Sequence, residues 1–469
     1  MKTRLFAGFL SLLTVGTLLI GCKQTPKDSV STDIQMYSFA GEGGSKTVTV
    51  SASGTWTANP SASWIEITNQ TSNSFDVTVG KNDTGALRDA RINVTCGTAT
   101  KEVVIYQAPA DTSKWMFRLY SDLHGSVLSP TGKYVGGYYS TVDKATNATV
   151  TYAVFIDMTT ETRTEIGPYT EDALLVNGAW ACTDDGKLFL GTSAETVMFD
   201  VATRDYVKLE AAGIEGLLDM QQVAADNTTW VGWAQDALEI VPVLWQDGVA
   251  RELPKPDRGY AGGICGSAIA RGISADASVV YGSTWDNFDY GLLYWTAADN
   301  FATAHWAGED VYSLSEENPE YVNGLITWSG QYNINADGSW IAGTYCKEFE
   351  DNKVAGTSSG VNYPAFYNTT TGKTTVFTEF GDGSGMAVCG NLGLIGAPSF
   401  QTTSGYVVNL DTNENLGTVA QWVLDTFGVV IPAGYAVYMP SENIVWGAMT
   451  YAPEGMVTVW NWYLGPVAK

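Results

Sequence analysis

The nine residues Asn335-Ala-Asp-Gly-Ser-Trp-Ile-Ala-Gly343 set what this chain can fold into, because looser copies recur along its last three quarters. They run Ser129-Pro-Thr-Gly-Lys-Tyr-Val-Gly-Gly137, Thr183-Asp-Asp-Gly-Lys-Leu-Phe-Leu-Gly191, Ala225-Asp-Asn-Thr-Thr-Trp-Val-Gly232, Ser274-Ala-Asp-Ala-Ser-Val-Val-Tyr-Gly282, Cys389-Gly-Asn-Leu-Gly-Leu-Ile-Gly396 and Ser441-Glu-Asn-Ile-Val-Trp-Gly447. Each opens on a polar turn, mostly Asp, Asn and Gly, runs into a short apolar segment and closes on glycine. That order of residues is hairpin chemistry.

The closing glycines at 137, 191, 232, 282, 343, 396 and 447 are spaced by 54, 41, 50, 61, 53 and 51 residues, a period in the range of propeller blades. A third apolar segment follows each turn, as in Tyr152–Asp157, Thr196–Asp200, Pro242–Gln246, Gly291–Trp295 and Pro364–Asn368. A more polar fourth strand usually comes next, as in Arg204–Leu209 and Lys373–Phe377. Four short antiparallel strands make one blade, so residues 112–469 read as a seven-bladed β-propeller. The seventh period ends without a fourth strand, whereas Lys114–Tyr120 precedes the first turn with no partner of its own. This segment is expected to complete the seventh blade and close the ring, which removes exposed sheet edges.

The blade phrase resembles the loose repeat of bacterial secreted propellers, with Gly272-Ile-Ser-Ala-Asp276 as its turn and Leu293-Tyr-Trp295 as its third strand. Sialidase propellers place one residue between the Asp and Gly of their Asp-box. Here Asp185-Gly186 and Asp337-Gly338 are adjacent, so the turn aspartates read as Asx-turns that hold hairpins.

At the amino terminus Lys2 and Arg4 precede a mostly apolar run from Leu5 to Ile20, the pattern of a secretory signal. Leu19-Ile20-Gly21-Cys22 resembles the lipobox of bacterial lipoproteins. The resemblance implies that residues 1–22 form the signal, that Cys22 is lipidated and that the mature protein is an outer-membrane lipoprotein held by acyl chains, on the periplasmic or the cell-surface side. Residues 23–33 are polar and read as a tether. From 34 to 108 short strands alternate with Gly and Asn turns, the pattern of a β-sandwich. Trp56, Trp64, Asn82, Arg88-Asp-Ala90 and the closing Gln107 fall in the order and spacing of the BACON domain. The resemblance implies a Bacteroidetes lipoprotein with an immunoglobulin-like module beneath the propeller. Trp56 and Trp64, beside β-branched neighbours, read as core aromatics, the alternative being sugar-stacking platforms.

Fifty acidic against 25 basic residues give a net charge of −25, which argues against nucleic acid and anionic lipid as partners. The cysteines beyond Cys22, namely Cys96, Cys182, Cys265, Cys346 and Cys389, show no Cys-x-x-Cys spacing, so no metal site is indicated; Cys182 and Cys389, at equivalent places in non-adjacent blades, read as buried free thiols. With only His124 and His305 available, no catalytic constellation stands out, and no phosphate loop calls for a cofactor.

A site on such a ring belongs at the mouth of the central channel, on the loops entering the inner strands and on those joining second to third strands. The aromatic and acidic residues of those loops, Tyr260, Trp285, Asp286, Asp289, Tyr290, Glu320, Trp328 and Tyr363, are the candidate ligand-binding set. Aromatic faces stack on the C–H faces of sugars while carboxylates accept from hydroxyls. The chain therefore reads as a non-catalytic, envelope-anchored protein that presents a propeller face to a polysaccharide. The alternatives are a scaffold for another envelope protein and a propeller glycoside hydrolase or lyase with opposed carboxylates.

Overall fold

The computed structural model describes residues 28–466 apart from 35, 40, 85–87, 108–109, 111–113, 121, 143–148, 170–175, 193–195, 237–238, 286–289, 315, 317–321, 328–331, 348–360, 397–404, 432–434 and 452–457. Cys22 and the signal lie outside the described residues. The chain is all-β and falls into two compact units. The first takes in residues up to Tyr37, Ser45–Val79 and Ala90–Ile105; the second takes in Ser38–Gly44, Gly80–Asp89 and Tyr106–Lys469.

Two four-stranded sheets lie within residues 30–107. One has the strand order Val30–Thr32, Gly44–Ala52, Ser74–Val79, Ile65–Thr68, and the other Met36–Phe39, Ala99–Gln107, Arg88–Cys96, Thr57–Pro60. Alternation sends Phe75, Val77 and Val79 from one sheet, and Ala90, Ile92, Val94 and Cys96 from the other, into the buried interior. Trp56 is a core aromatic. It is 5% exposed, its indole N–H donates to the Ser72 carbonyl at 2.9 Å, and its ring lies 5.7 Å from that of Phe75. The spaced polar residues meet as well: the Arg88 guanidinium donates twice to Gln107 Oε1, at 2.9 and 2.7 Å, and Gln107 Nε2 donates to the Gly80 carbonyl at 2.7 Å. The buried amide of Gln107 is thereby partnered at both ends, as buried polar groups require.

Seven antiparallel sheets follow in chain order. The first joins His124–Leu128, Tyr134–Val142, Thr149–Asp157 and Thr162–Tyr169, and the next three repeat that order. In the seventh sheet Tyr435–Ser441, Ile444–Tyr451 and Thr458–Pro466 are completed by Trp115–Tyr120, with Trp115 opposite Pro466 and Tyr120 opposite Asn461. Trp115–Tyr120 thus covers the edge of Thr458–Pro466.

The repeated turn builds both the hairpins and the joints between sheets. Asp226 accepts from the backbone N–H of Thr228 and Thr229 at 2.9 and 2.8 Å, and Asp276 and Asp337 accept from Ser278 and Ser339 in the same way. These are Asx-turns. Partial burial pushes the Asp226 carboxyl up, but the Thr229 hydroxyl and the two N–H donors outweigh it and hold it below its ordinary value. The turns also bond onward: Thr131 Oγ1 to Asp184 at 2.6 Å, Asp184 N to Asn227 Oδ1 at 2.8 Å, Ala225 N to the Ala275 carbonyl at 2.9 Å, Asp276 N to the Ala336 carbonyl at 3.0 Å, and Asn335 Nδ2 to the Gly390 carbonyl at 3.1 Å. A belt of hydrogen bonds therefore runs from the first sheet to the sixth. The third-strand tryptophans complete the frame, since Trp245 and Trp295 are fully buried and donate to the Glu210 and Pro254 carbonyls at 2.9 and 2.8 Å.

Two elements depart from the repeat. The fifth sheet carries a fifth strand, Ser313–Leu314, alongside Val322–Ile326. A nine-residue helix, Val419–Phe427, precedes the seventh sheet. Thr418 caps its start, Gly428 ends it at φ 67°, and Val419, Trp422, Val423 and Phe427 form its buried stripe. Phe427 meets the closing strand, edge-on to Trp115 at 4.8 Å.

Candidate functional site

The opening strands of the first four sheets pack side by side, as do those of the sixth and seventh, and most carry an irregularity at one place. Register slips between Ala179 and Ala181, Met220 and Gln222, Ala270 and Gly272, Gly385 and Ala387, and Ala436 and Tyr438. One extra residue, Trp180, Gln221, Arg271, Met386 or Val437, is inserted each time. Such bulges increase the local twist and re-aim side chains. The bulge also accounts for the closing glycine of the repeat. A Cβ on Gly232 would lie 1.9 Å from the Asp219 carbonyl oxygen, and one on Gly282 would lie 2.0 Å from that of Ile269.

One end of the opening strands is filled. Tyr332, from the fifth sheet, stacks on Tyr438 of the seventh at 3.9 Å, and its hydroxyl accepts from Leu128 N of the first at 3.0 Å. Residues from the first, fifth and seventh sheets meet there, on the side of the hairpin turns.

Charged groups sit toward the other end, on the third and fourth sheets. Arg271 is 6% exposed, in the otherwise apolar strand Ala268–Ile273. Its Nε donates to Ser283 Oγ at 3.0 Å, and the guanidinium lies 5.3 Å from the centre of the Trp285 ring. Its Nη2 is buried and meets no acceptor among the described residues. Burial pulls its pKa down to about 10, while Tyr281 and Tyr290 act the other way. Trp285, at 41% exposure, also packs on Tyr290, edge-on at 5.1 Å. A cation–π contact contributes about 0.5–1 kcal/mol at an exposed site and about 2 when desolvated, and an aromatic pair about 0.5–1.5.

Asp219 belongs to the strand Leu217–Val223 of the third sheet. Its Oδ1 is buried without a donor among the described residues, and desolvation raises its carboxyl to about 7 against the weaker pull of the Met220 N–H. Three residues on, Gln222 Oε1 accepts from Ile273 N of the fourth sheet at 3.0 Å. Neighbouring strands therefore carry an acid and a base that are not ion-paired with each other. Each keeps an unanswered polar atom among the described residues, which is costly in a low-dielectric setting.

The residues singled out from the sequence divide three ways. Trp285 and Tyr290 are brought together beside Arg271. Tyr260 is buried, at 7% exposure, its ring 5.9 Å from Trp306 and 5.8 Å from Tyr312, and it packs with Val322, Ile326 and Cys346. Arg258 covers this cluster, 4.7 Å over Trp306 and 4.4 Å over Tyr312, with Nη2 on Glu309 at 2.8 Å. Tyr260 is thus part of a loop core. Tyr363 is half-buried opposite Tyr345 in the fifth sheet. Asp286, Asp289, Glu320 and Trp328 lie outside the described residues. Sequence reasoning missed Arg271 and Asp219, although a lone charge inside Ala268–Ile273 was a visible signal.

Likeness to known proteins is informative for residues 54–108. Residues 54–108 match the family model described as "BACON: Putative binding domain, N-terminal". The chain carries a BACON domain. The BACON match includes Trp56, Arg88 and Gln107, so the polar network described above belongs to it. No curated protein matches the chain.

Among solved structures, the chain is similar to the β-propeller domain of the Trilobed protease from Pyrococcus furiosus, with 11% identity, a TM-score of 0.44, and coverage of 73% of this chain and 93% of that one. It is similar to an acylaminoacyl peptidase from Pyrococcus horikoshii at 11% identity and a TM-score of 0.42, covering 74% of this chain and 51% of that one. For TolB from Acinetobacter baumannii the identity is 12% and the TM-score 0.34, covering 70% of this chain and 58% of that one. At these identities nothing about activity follows.

Proposed function

We propose that this protein is a non-catalytic, envelope-anchored lipoprotein that binds glycan at the mouth of a seven-bladed propeller spanning residues 112–469. Cys22 is the acyl anchor, residues 23–33 the tether, and the immunoglobulin-like BACON sandwich of residues 34–108 the stalk. The observation that carries the reading is Trp285. This indole is 41% exposed where the second strand of the fourth sheet ends, whereas Tyr260, from the neighbouring loop, is buried. A large aromatic face left in solvent beside Tyr290 and a polar floor suits a sugar ring, which offers C–H groups to the face and hydroxyls to its surroundings.

Affinity electrophoresis of residues 23–469 through gels containing plant, fungal and mucin polysaccharides tests the reading. Retardation without clearing of the polymer is the expected result. Clearing would make the protein an enzyme, and unretarded migration in every gel would remove the glycan reading.

A second reading has its own support. Leu217, Ile264 and Leu314 are 49%, 91% and 42% exposed. A scaffold for another envelope protein would dock on a contiguous patch of such side chains. Capture of a defined partner that is lost on Ile264→Asp would establish it.

A further inference from the structure

Arg271 does not serve the fold in the way a buried arginine ordinarily does. Among the described residues its sole hydrogen-bond partner is Ser283, through Nε, and the groups that bear on its charge are the phenols of Tyr281 and Tyr290. No carboxylate among the described residues answers it, and Nη2 is left without an acceptor there. A buried guanidinium normally meets a carboxylate or phosphate, often through two parallel N–H donors. With Nε bound to Ser283, Nη2 has no acceptor among the described residues, and a ligand acceptor would answer it. The bulge between Ala270 and Gly272 fixes the backbone beneath it. Ring contacts with Arg271 and Tyr290 hold the Trp285 indole over the guanidinium.

We propose that Arg271 receives a single carboxylate, and that the ligand of this mouth is an otherwise neutral glycan bearing isolated acidic sugars, uronic or sialic. The inference rests on the glycan reading above. The acid accepts from Nη2, and the indole stacks on the ring that carries it. Net charge decides against a polyanion: at −25 the protein repels a uniformly acidic polymer, whereas one carboxylate on a neutral chain meets that field only once. The repulsion is screened over about 8 Å at physiological salt, so a contact made at the guanidinium itself survives.

The test uses the full chain and two matched pairs of polymers: glucuronoxylan with its carboxyl-reduced form, and sialylated mucin with its desialylated form. Wild-type protein is expected to bind the acidic member of one pair about 10- to 100-fold more tightly than its neutral twin. The pair that responds assigns the acid as uronic or sialic. Arg271→Gln should abolish that preference, and Arg271→Lys, which keeps charge without the fork, should recover only part of it. Equal binding of both twins by wild type would overturn the carboxylate assignment while leaving glycan binding in place, as would a preference that survives in Arg271→Gln. Absence of binding to all four polymers would sink the glycan reading itself. If Arg271→Gln does not fold, the wild-type comparison of twins and the Arg271→Lys variant still decide.

Discussion

Asp219→Asn should become progressively more stabilising, relative to wild type, between pH 4 and pH 8. In the unfolded chain this carboxyl titrates near 3.8, and in the folded protein desolvation raises it to about 7. Between those values the folded state holds a proton that the unfolded state has released. Raising the pH through this window therefore destabilises the fold, and above pH 7 the penalty is complete. A shift of about three units at 1.36 kcal/mol each sets the penalty at no more than about 4 kcal/mol. Asparagine cannot ionise, so it removes the penalty while keeping the shape. The melting temperature of the variant relative to wild type should rise by about 4–8 °C from pH 4 to pH 8, taking about 1–2 °C per kcal/mol for a unit of this size. Melts at matched ionic strength, followed by circular dichroism, measure this directly. Asp185, Asp226 and Asp276, whose carboxyls are held below their ordinary value, contribute stability that is lost only as pH falls lower, and they do so equally in both proteins. A difference in melting temperature that stays constant from pH 4 to pH 8 would refute the claim that Asp219 is desolvated and unpaired.

Gly232→Ala should destabilise by about 3 kcal/mol or more, seen as a lower denaturant midpoint at unchanged slope, because its Cβ would strike backbone that no rotamer change can move. Replacing Trp115–Tyr120 with a Gly/Ser segment of equal length should expose the edge of Thr458–Pro466 and give a lower melting temperature with concentration-dependent association by light scattering; a monomer with a wild-type melt would contradict closure by this strand. Trp285→Ala should change stability by less than about 1 kcal/mol while weakening glycan retention, whereas Tyr260→Ala should lose about 3 kcal/mol. Cys96, Cys182, Cys265, Cys346 and Cys389 are free and buried, and burial pushes the Cys389 thiol up to about 11, so intact-mass measurement should find all five alkylated only after unfolding without reductant.

The sequence by itself determined the features whose physics is local. Asp226, Asp276 and Asp337 form their turns with residues two or three positions away, so the hairpins could be read from the repeat. The unpaired apolar run at Trp115–Tyr120 could be matched to the last sheet because a strand without a partner must find one. The helix Val419–Phe427 is legible in the same sense, through Thr418, the apolar stripe and Gly428, but it does not recur with the repeat, and a search for the repeat steps over it. Only the tertiary structure decided which loop aromatics are surface and which are core. Tyr260 and Trp285 look alike as loop residues, yet Trp306, Tyr312 and Val322 close over Tyr260, while Trp285 keeps an open face. It likewise decided that Arg271 is left without a carboxylate among the described residues. A bulge turns Arg271 toward Ser283 and Trp285, Asp219 on the neighbouring sheet does not reach it, and whether a buried charge is answered depends on strands that are distant in the chain and adjacent only in the ring.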